Sequence, residues 1–254
     1  MPRRFLAFLL IAAAIGFTAC STNNVTVDDS LQKYFDSAGV HGTFGFYDNG
    51  QGHFTIYNLA RFRDSTYSPG NTFDILQALI AVQTGLAADE HSALLQPDSA
   101  GPAAGSVRLA AAIGKDTLKK WVDSLRYGNR DLSEYTDPAH PAGRLKISAD
   151  EQLGLTKKLY FDQLPFFQRT QKLVKQQFRT ERNSNYLLAY TTGIGTDANG
   201  KYTGWIMGWV EENNHPYFFV VNMEVPNGQA DVSTIGLQLV KNILGPMGFF
   251  AGKK

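Results

Sequence analysis

Hydrophobic and polar positions along the chain change period twice. Ser30 to Ala38 has the spacing of a short helix, after which Gly42 to Tyr47 and Phe54 to Asn58 alternate aromatic and small residues around the turn Asp48-Asn49-Gly50, the pattern of a β-hairpin. From Thr72 to Gly85 the period is helical: Phe73, Leu76, Leu79, Ile80 and Val82 recur at helical spacing and Gly85 ends the run, which predicts a largely buried helix. Gln96 to Gly105 is rich in Pro, Gly, Ala and Ser and reads as a loop inside the domain. Lys115 to Leu125, Ser148 to Leu159 and Thr170 to Phe178 are amphipathic helices, the second opening on a Ser148-Ala149-Asp150-Glu151 capping box.

The last third returns to a β pattern. Tyr186 to Thr192, Tyr202 to Glu211 and Tyr217 to Glu224 carry β-branched and aromatic residues between Gly/Asn turns, and a helix at Ser233 to Leu244 closes the chain. The order predicts an α+β fold. Segments 42–58 and 186–224 form a five-stranded antiparallel sheet flanked by helices, and an all-helical lobe occupies about residues 72–181. No internal repeat is present.

Length and charge narrow the function. The 254 residues, 43% of them hydrophobic, suffice for one large domain, here placed at 30–254. A formal net charge of +1 with scattered basic residues gives no field that would draw nucleic acid. The five histidines, His41, His53, His91, His140 and His215, show no HExxH or close pairing, so neither a metal nor a cofactor is expected. No glycine pattern that cradles phosphate opens a helix.

The N-terminus has an address. Arg3 and Arg4 precede an apolar run from Phe5 to Phe17 and the small-residue site Thr18-Ala19-Cys20, the layout of a removable export signal over residues 1–19. The run is shorter than the roughly 20 residues that span a bilayer. Phe17-Thr18-Ala19-Cys20 resembles the lipobox of bacterial lipoproteins, which implies that Cys20 is lipidated and becomes the first mature residue; the alternative is an ordinary signal peptide with an incidental cysteine. Two of the 24 basic residues leave with the leader, so 22 face 23 acidic ones. Residues 20–29 are polar and read as a tether.

Several blocks of sequence resemble one family. YSPGNTFDILQALIAVQTGL is similar in register and length to the nucleophile helix of class D β-lactamases and related penicillin-sensor domains, whose version reads PxSTFK. RYGNRDLS (Arg126 to Ser133), LKISADEQLGLTKKLYFDQLPF (Leu145 to Phe166), RTQKLVKQQFRTE (Arg169 to Glu181) and TTGIG…GWIMGWVE (Thr191 to Glu211) follow in the family's order. The resemblance covers nearly the whole mature chain.

The residues that carry the family's chemistry are replaced. The resemblance puts Asn71 at the nucleophilic serine and Asp74 at the lysine one turn on; a carboxamide does not attack acyl carbon, and a carboxylate reverses the local charge. Asn as a helix cap and an acid in the first turn are also what a helix start favours. The pocket motif KTG appears as Thr191-Thr192-Gly193, without its lysine, and no arginine follows Arg182 to hold a substrate carboxylate. Lys241 is equally a solvated surface residue or a ligand. The SxV motif is not located: Ser106 is its nearest candidate and reads as a loop serine. Ser68 and Thr72 are weak substitutes for the nucleophile. Tyr127-Gly128-Asn129 does match the family's YGN, and Trp205 and Trp209 share one strand face, more in keeping with core than with ligand stacking.

The resemblance thus implies a catalytically inactive, penicillin-binding-type lipoprotein of the cell envelope. Its ligand would be a peptidoglycan peptide or a β-lactam-like molecule, bound through Tyr127, Asn129, Thr191, Thr192, Gly193 and Trp205. The alternative is a β-lactam hydrolase or transpeptidase-like enzyme with a non-standard nucleophile.

Overall fold

A computed structural model describes residues 24–89, 91–96, 102–133, 144–197, 199–225 and 231–254. The export signal, Cys20 and His140 lie outside the described residues. The sheet has seven strands in the order β1-β3-β2-β7-β6-β5-β4: β1 (Val25–Val27), β2 (Gly42–Asp48), β3 (His53–Tyr57), β4 (Arg179–Arg182), β5 (Leu187–Thr196), β6 (Tyr202–Glu212) and β7 (His215–Val225). The described helices are α1 (Gln32–Ala38), α2 (Asp74–Gln83), α3 (Pro102–Ile113), α4 (Lys115–Leu125), α5 (Ala149–Tyr160), α6 (Gln168–Lys175) and α7 (Val232–Leu244).

The five expected strands form the centre of this sheet, joined through β2 and β7, with Gly42 opposite Met223 and Asp48 opposite Tyr217. Two edge strands correct the expected count. Val25–Val27, expected within the tether, runs parallel to β3 with Thr26 opposite Thr55. Arg179–Arg182 pairs antiparallel with β5. At three and four residues these segments are too short to carry a telling period; each borrows backbone partners from a longer strand, information that a local pattern does not hold.

Helices cover both faces of the sheet. On one, α1 and α7 bury Phe35, Leu239, Val240 and Ile243 against Phe44, Ile206, Phe219 and Val221. On the other, α5 and the helical lobe close over Trp205, Met207, Phe218 and Val220. Central strand β7 is buried on both sides from Tyr217 to Met223, which accounts for its continuous apolar run. Helix α5 starts as expected: Ser148 Oγ accepts from the Glu151 N–H at 3.2 Å, and Glu151 Oε2 accepts from the Ser148 N–H at 2.9 Å.

The entry to α2 is fixed against β5 by close backbone approach. A 3₁₀ turn, Gly70–Phe73, leads into the helix. Gly70 has φ +50°, and a Cβ there would strike the Ile194 carbonyl. A Cβ on Gly193 would lie 2.6 Å from the Thr72 nitrogen. Only glycine lets the helix start sit this close to the strand, so residues 71–74 are held beside Thr191 and Thr192.

Candidate functional site

Asn71 and Asp74 stand one turn apart at this helix start, and both face a cavity of about 600 Å³. Ile75, Ala78, Leu109 and Phe178 give it apolar wall, and Thr191 and Thr192 line it from β5. Ser106 hydrogen-bonds to both of the polar residues at the helix start. It is not a loop residue: helix α3 begins at Pro102, within the segment expected to be a loop, and Ser106 is buried on its inner face. Ser106, Leu109, Ala110 and Ile113 are all buried, and their spacing of i, i+3, i+4, i+7 is the signal that could have placed the serine.

The three polar groups form a chain. Asn71 Nδ2 donates to Ser106 Oγ at 2.9 Å, and Ser106 Oγ donates to Asp74 Oδ2 at 2.7 Å. Gln77 Nε2 donates to Asp74 Oδ1 at 3.2 Å. Burial pushes the Asp74 carboxyl up to about 7, against the opposing effect of the neighbouring Ser106 hydroxyl and Asn71 carboxamide. Among the described residues Asp74 has no ion-pair partner within salt-bridge distance.

The remaining candidates separate into those on the cavity and those behind it. Thr191 and Thr192 line it; Gly193 has its role against Thr72. Trp205 is fully buried and its indole N–H donates to the Ser68 carbonyl at 2.8 Å. Tyr127 is also buried, its ring 5.4 Å from that of Phe73; burial, with Glu151 nearby, drives its hydroxyl well above the usual tyrosine range. Asn129 closes a loop: its Oδ1 accepts from the Lys146 and Asp131 N–H groups and its Nδ2 donates to the Arg144 carbonyl. Neither Trp205, Tyr127 nor Asn129 lines the cavity.

The substitute nucleophiles also resolve. Thr72 is fully buried, donating to the Pro69 carbonyl at 2.7 Å and accepting from Gln152 Nε2 at 2.7 Å. Ser68 is buried against Gly195. Lys241 pairs with Glu181 Oε2 at 2.7 Å, and neither residue lines the cavity. The arginine that does reach the wall is Arg179, whose guanidinium donates to Ser233 Oγ at 2.6 Å and lies near enough to Asp231 to help lower that carboxyl. Its placement depends on edge strand β4, which the sequence pattern did not reveal.

Comparison with known proteins agrees with this architecture. The penicillin binding protein transpeptidase domain family matches residues 103–245. Beta-lactamase OXA-48 of Klebsiella pneumoniae is 30% identical over 238 residues, 87% of this chain and 89% of the relative. The class D β-lactamase YbXI from Nostoc superposes with a TM-score of 0.75 at 25% identity, covering 87% of this chain and 99% of that one. The C-terminal domain of the Bacillus licheniformis BlaR penicillin-receptor superposes with a TM-score of 0.76 at 25% identity, covering 90% and 98%. The seven-stranded sheet with helices on both faces, the helix start docked on β5 and these matches together establish that the chain belongs to the penicillin-binding-protein transpeptidase family, with class D β-lactamases among its relatives.

Proposed function

We propose that this protein is a non-acylating member of its family, a binding or interaction module exported to the bacterial cell envelope and held at a membrane through lipid on Cys20. The observation that carries this reading is Asn71. Its carboxamide occupies the helix-start position where acyl transfer needs a hydroxyl, and it is engaged as a donor to Ser106. The neighbouring Asp74 supplies a carboxylate where a cationic side chain would be needed to draw in an anionic ligand. The similarity to the BlaR penicillin-receptor domain is consistent with binding as the function of this fold.

One observation favours a second reading. The Ser106 hydroxyl already donates to a carboxylate whose affinity for protons is raised into the neutral range, the relation of a nucleophile to its base. Intact-protein mass spectrometry after incubation with excess penicillin separates the two. The non-acylating reading expects the mass to stay unchanged. A stoichiometric increase that maps to Ser106 overturns it in favour of acyl transfer through that serine.

A further inference from the structure

The cavity beside Asp74 has an uneven charge inventory. Among the described residues of its wall, Asp74 is the only carboxylate and Arg179 the only cation. The arginine is answered already, by Ser233 and by the proximity of Asp231. Among the described residues Asp74 is answered only by neutral donors, Ser106 at 2.7 Å and Gln77 at 3.2 Å, with the Asn71 carboxamide close by. An ionised carboxyl has about four lone-pair sites, so two hydrogen bonds leave acceptor capacity that a bound donor can use. A partly buried carboxylate without a cation is costly to keep ionised. A ligand that brings the cation recovers that cost on binding.

From this inventory we infer that the cavity binds a primary ammonium group carried on a short apolar chain, with the ammonium against Asp74 and the chain along Ile75, Ala78, Leu109 and Phe178. The inference rests on the proposal that the site binds rather than acylates. The remaining polar wall fits the same group. A primary ammonium has three donors and no acceptor, and Asn71, with a carboxamide oxygen that can accept, stands beside Asp74 on a lining that Thr191 and Thr192 continue from β5. A quaternary ammonium calls for an aromatic cage, and Phe178 is the only ring among the described residues of the wall. A divalent metal calls for several anionic or imidazole ligands, and among the described residues no cluster of three His, Cys, Asp or Glu side chains is present. A carboxylate ligand would meet Asp74 with no free cation to offset it among the described lining residues. The volume of about 600 Å³ accommodates a small molecule of this kind.

Isothermal titration of the full-length protein with n-hexylamine hydrochloride, sodium hexanoate and hexan-1-ol at pH 8 tests this. The three probes share an apolar chain and differ in the polar end. The ammonium is expected to bind at least tenfold more tightly than either of the others, and Asp74→Asn to bring it down to the level of the alcohol. Equal or weaker binding of the ammonium on the unmodified chain overturns the inference without any variant being needed; so does unchanged ammonium affinity in a folded Asp74→Asn protein. The outcome is separable from the test of acylation. A penicillin adduct would defeat the non-acylating reading whatever the amine does, whereas an absent adduct with no preference for the ammonium would defeat only the present inference.

Discussion

The Ser106 hydroxyl donates to Asp74 Oδ2 at 2.7 Å, joining two helices, α3 and α2, that are 32 residues apart in sequence at this contact. The bond is charge-assisted when Asp74 is ionised, the stronger class of hydrogen bond. It ties the helical lobe to the helix that starts on β5. The same serine accepts from Asn71, so one hydroxyl orients both side chains at the cavity.

Ser106→Ala is expected to destabilise the fold by ~1–3 kcal/mol at pH 8, because Asp74 loses its shortest hydrogen bond while its desolvation remains. At pH 5, where Asp74 is protonated, the loss is expected to shrink. Urea denaturation at the two pH values measures both; an equal loss at each would show that the bond does not favour the ionised carboxylate.

Asp74 also sets a pH dependence. Its folded carboxyl titrates at about 7 against an ordinary value of 3.8, so between these values the folded state binds the extra proton and stability falls as pH rises. The full penalty is present above pH 7 and absent below pH 3.8. The described groups around Asp74 are the neutral Gln77 on its own helix, Asn71 in the turn before it, Ser106 on α3, Thr191 and Thr192 on β5, and buried Tyr127; the only cation among the described lining residues, Arg179 on β4, is held elsewhere. Asp74→Asn is expected to be more stable than the parent at pH 8 by about 2 kcal/mol, roughly half the ~4 kcal/mol that a shift of this size would give without partial solvent screening. The gain is expected to vanish towards pH 4. Thermal melts across pH 4–8 provide the comparison, and a difference independent of pH would count against a titrating Asp74.

Restoring the chemistry needs more than one residue. Nucleophile and base act as a unit, so Asn71→Ser alone is expected to give no detectable penicillin adduct within an hour. Asn71→Ser with Asp74→Lys is expected to give a slow one, because the lysine stands one turn from the new hydroxyl. Mass spectrometry of the intact variants reads both results. Rapid acylation of the single variant would mean that Asp74 itself serves as the base.

The lipid anchor predicts a fractionation result. Expressed in a bacterial host, the parent protein is expected in the membrane fraction and Cys20→Ala in the soluble fraction. Identical distribution of the two would leave the lipobox resemblance without consequence.

Local sequence determined much of this protein. The Ser148–Glu151 capping box, the hairpin across Asp48-Asn49-Gly50 and the strands of the last third were legible because caps, turns and hydrophobic period act over a few neighbouring residues. Asn71 and Asp74 were legible as replacements because the motif surrounding them is contiguous. The tertiary structure decided what depends on distant partners. Val25–Val27 and Arg179–Arg182 become strands only because β3 and β5 offer free edges, and Arg179 reaches the cavity only through that pairing. The spacing of Ser106, Leu109, Ala110 and Ile113 could have placed the serine on a buried helix face, but its bond to Asp74 appears only when α3 packs on α2. The same packing gathers Asn71, Asp74 and Thr191 around one cavity, with Ser106 bonded to the first two, and there burial raises Asp74; burial is a property of the assembled core, which no single segment encodes.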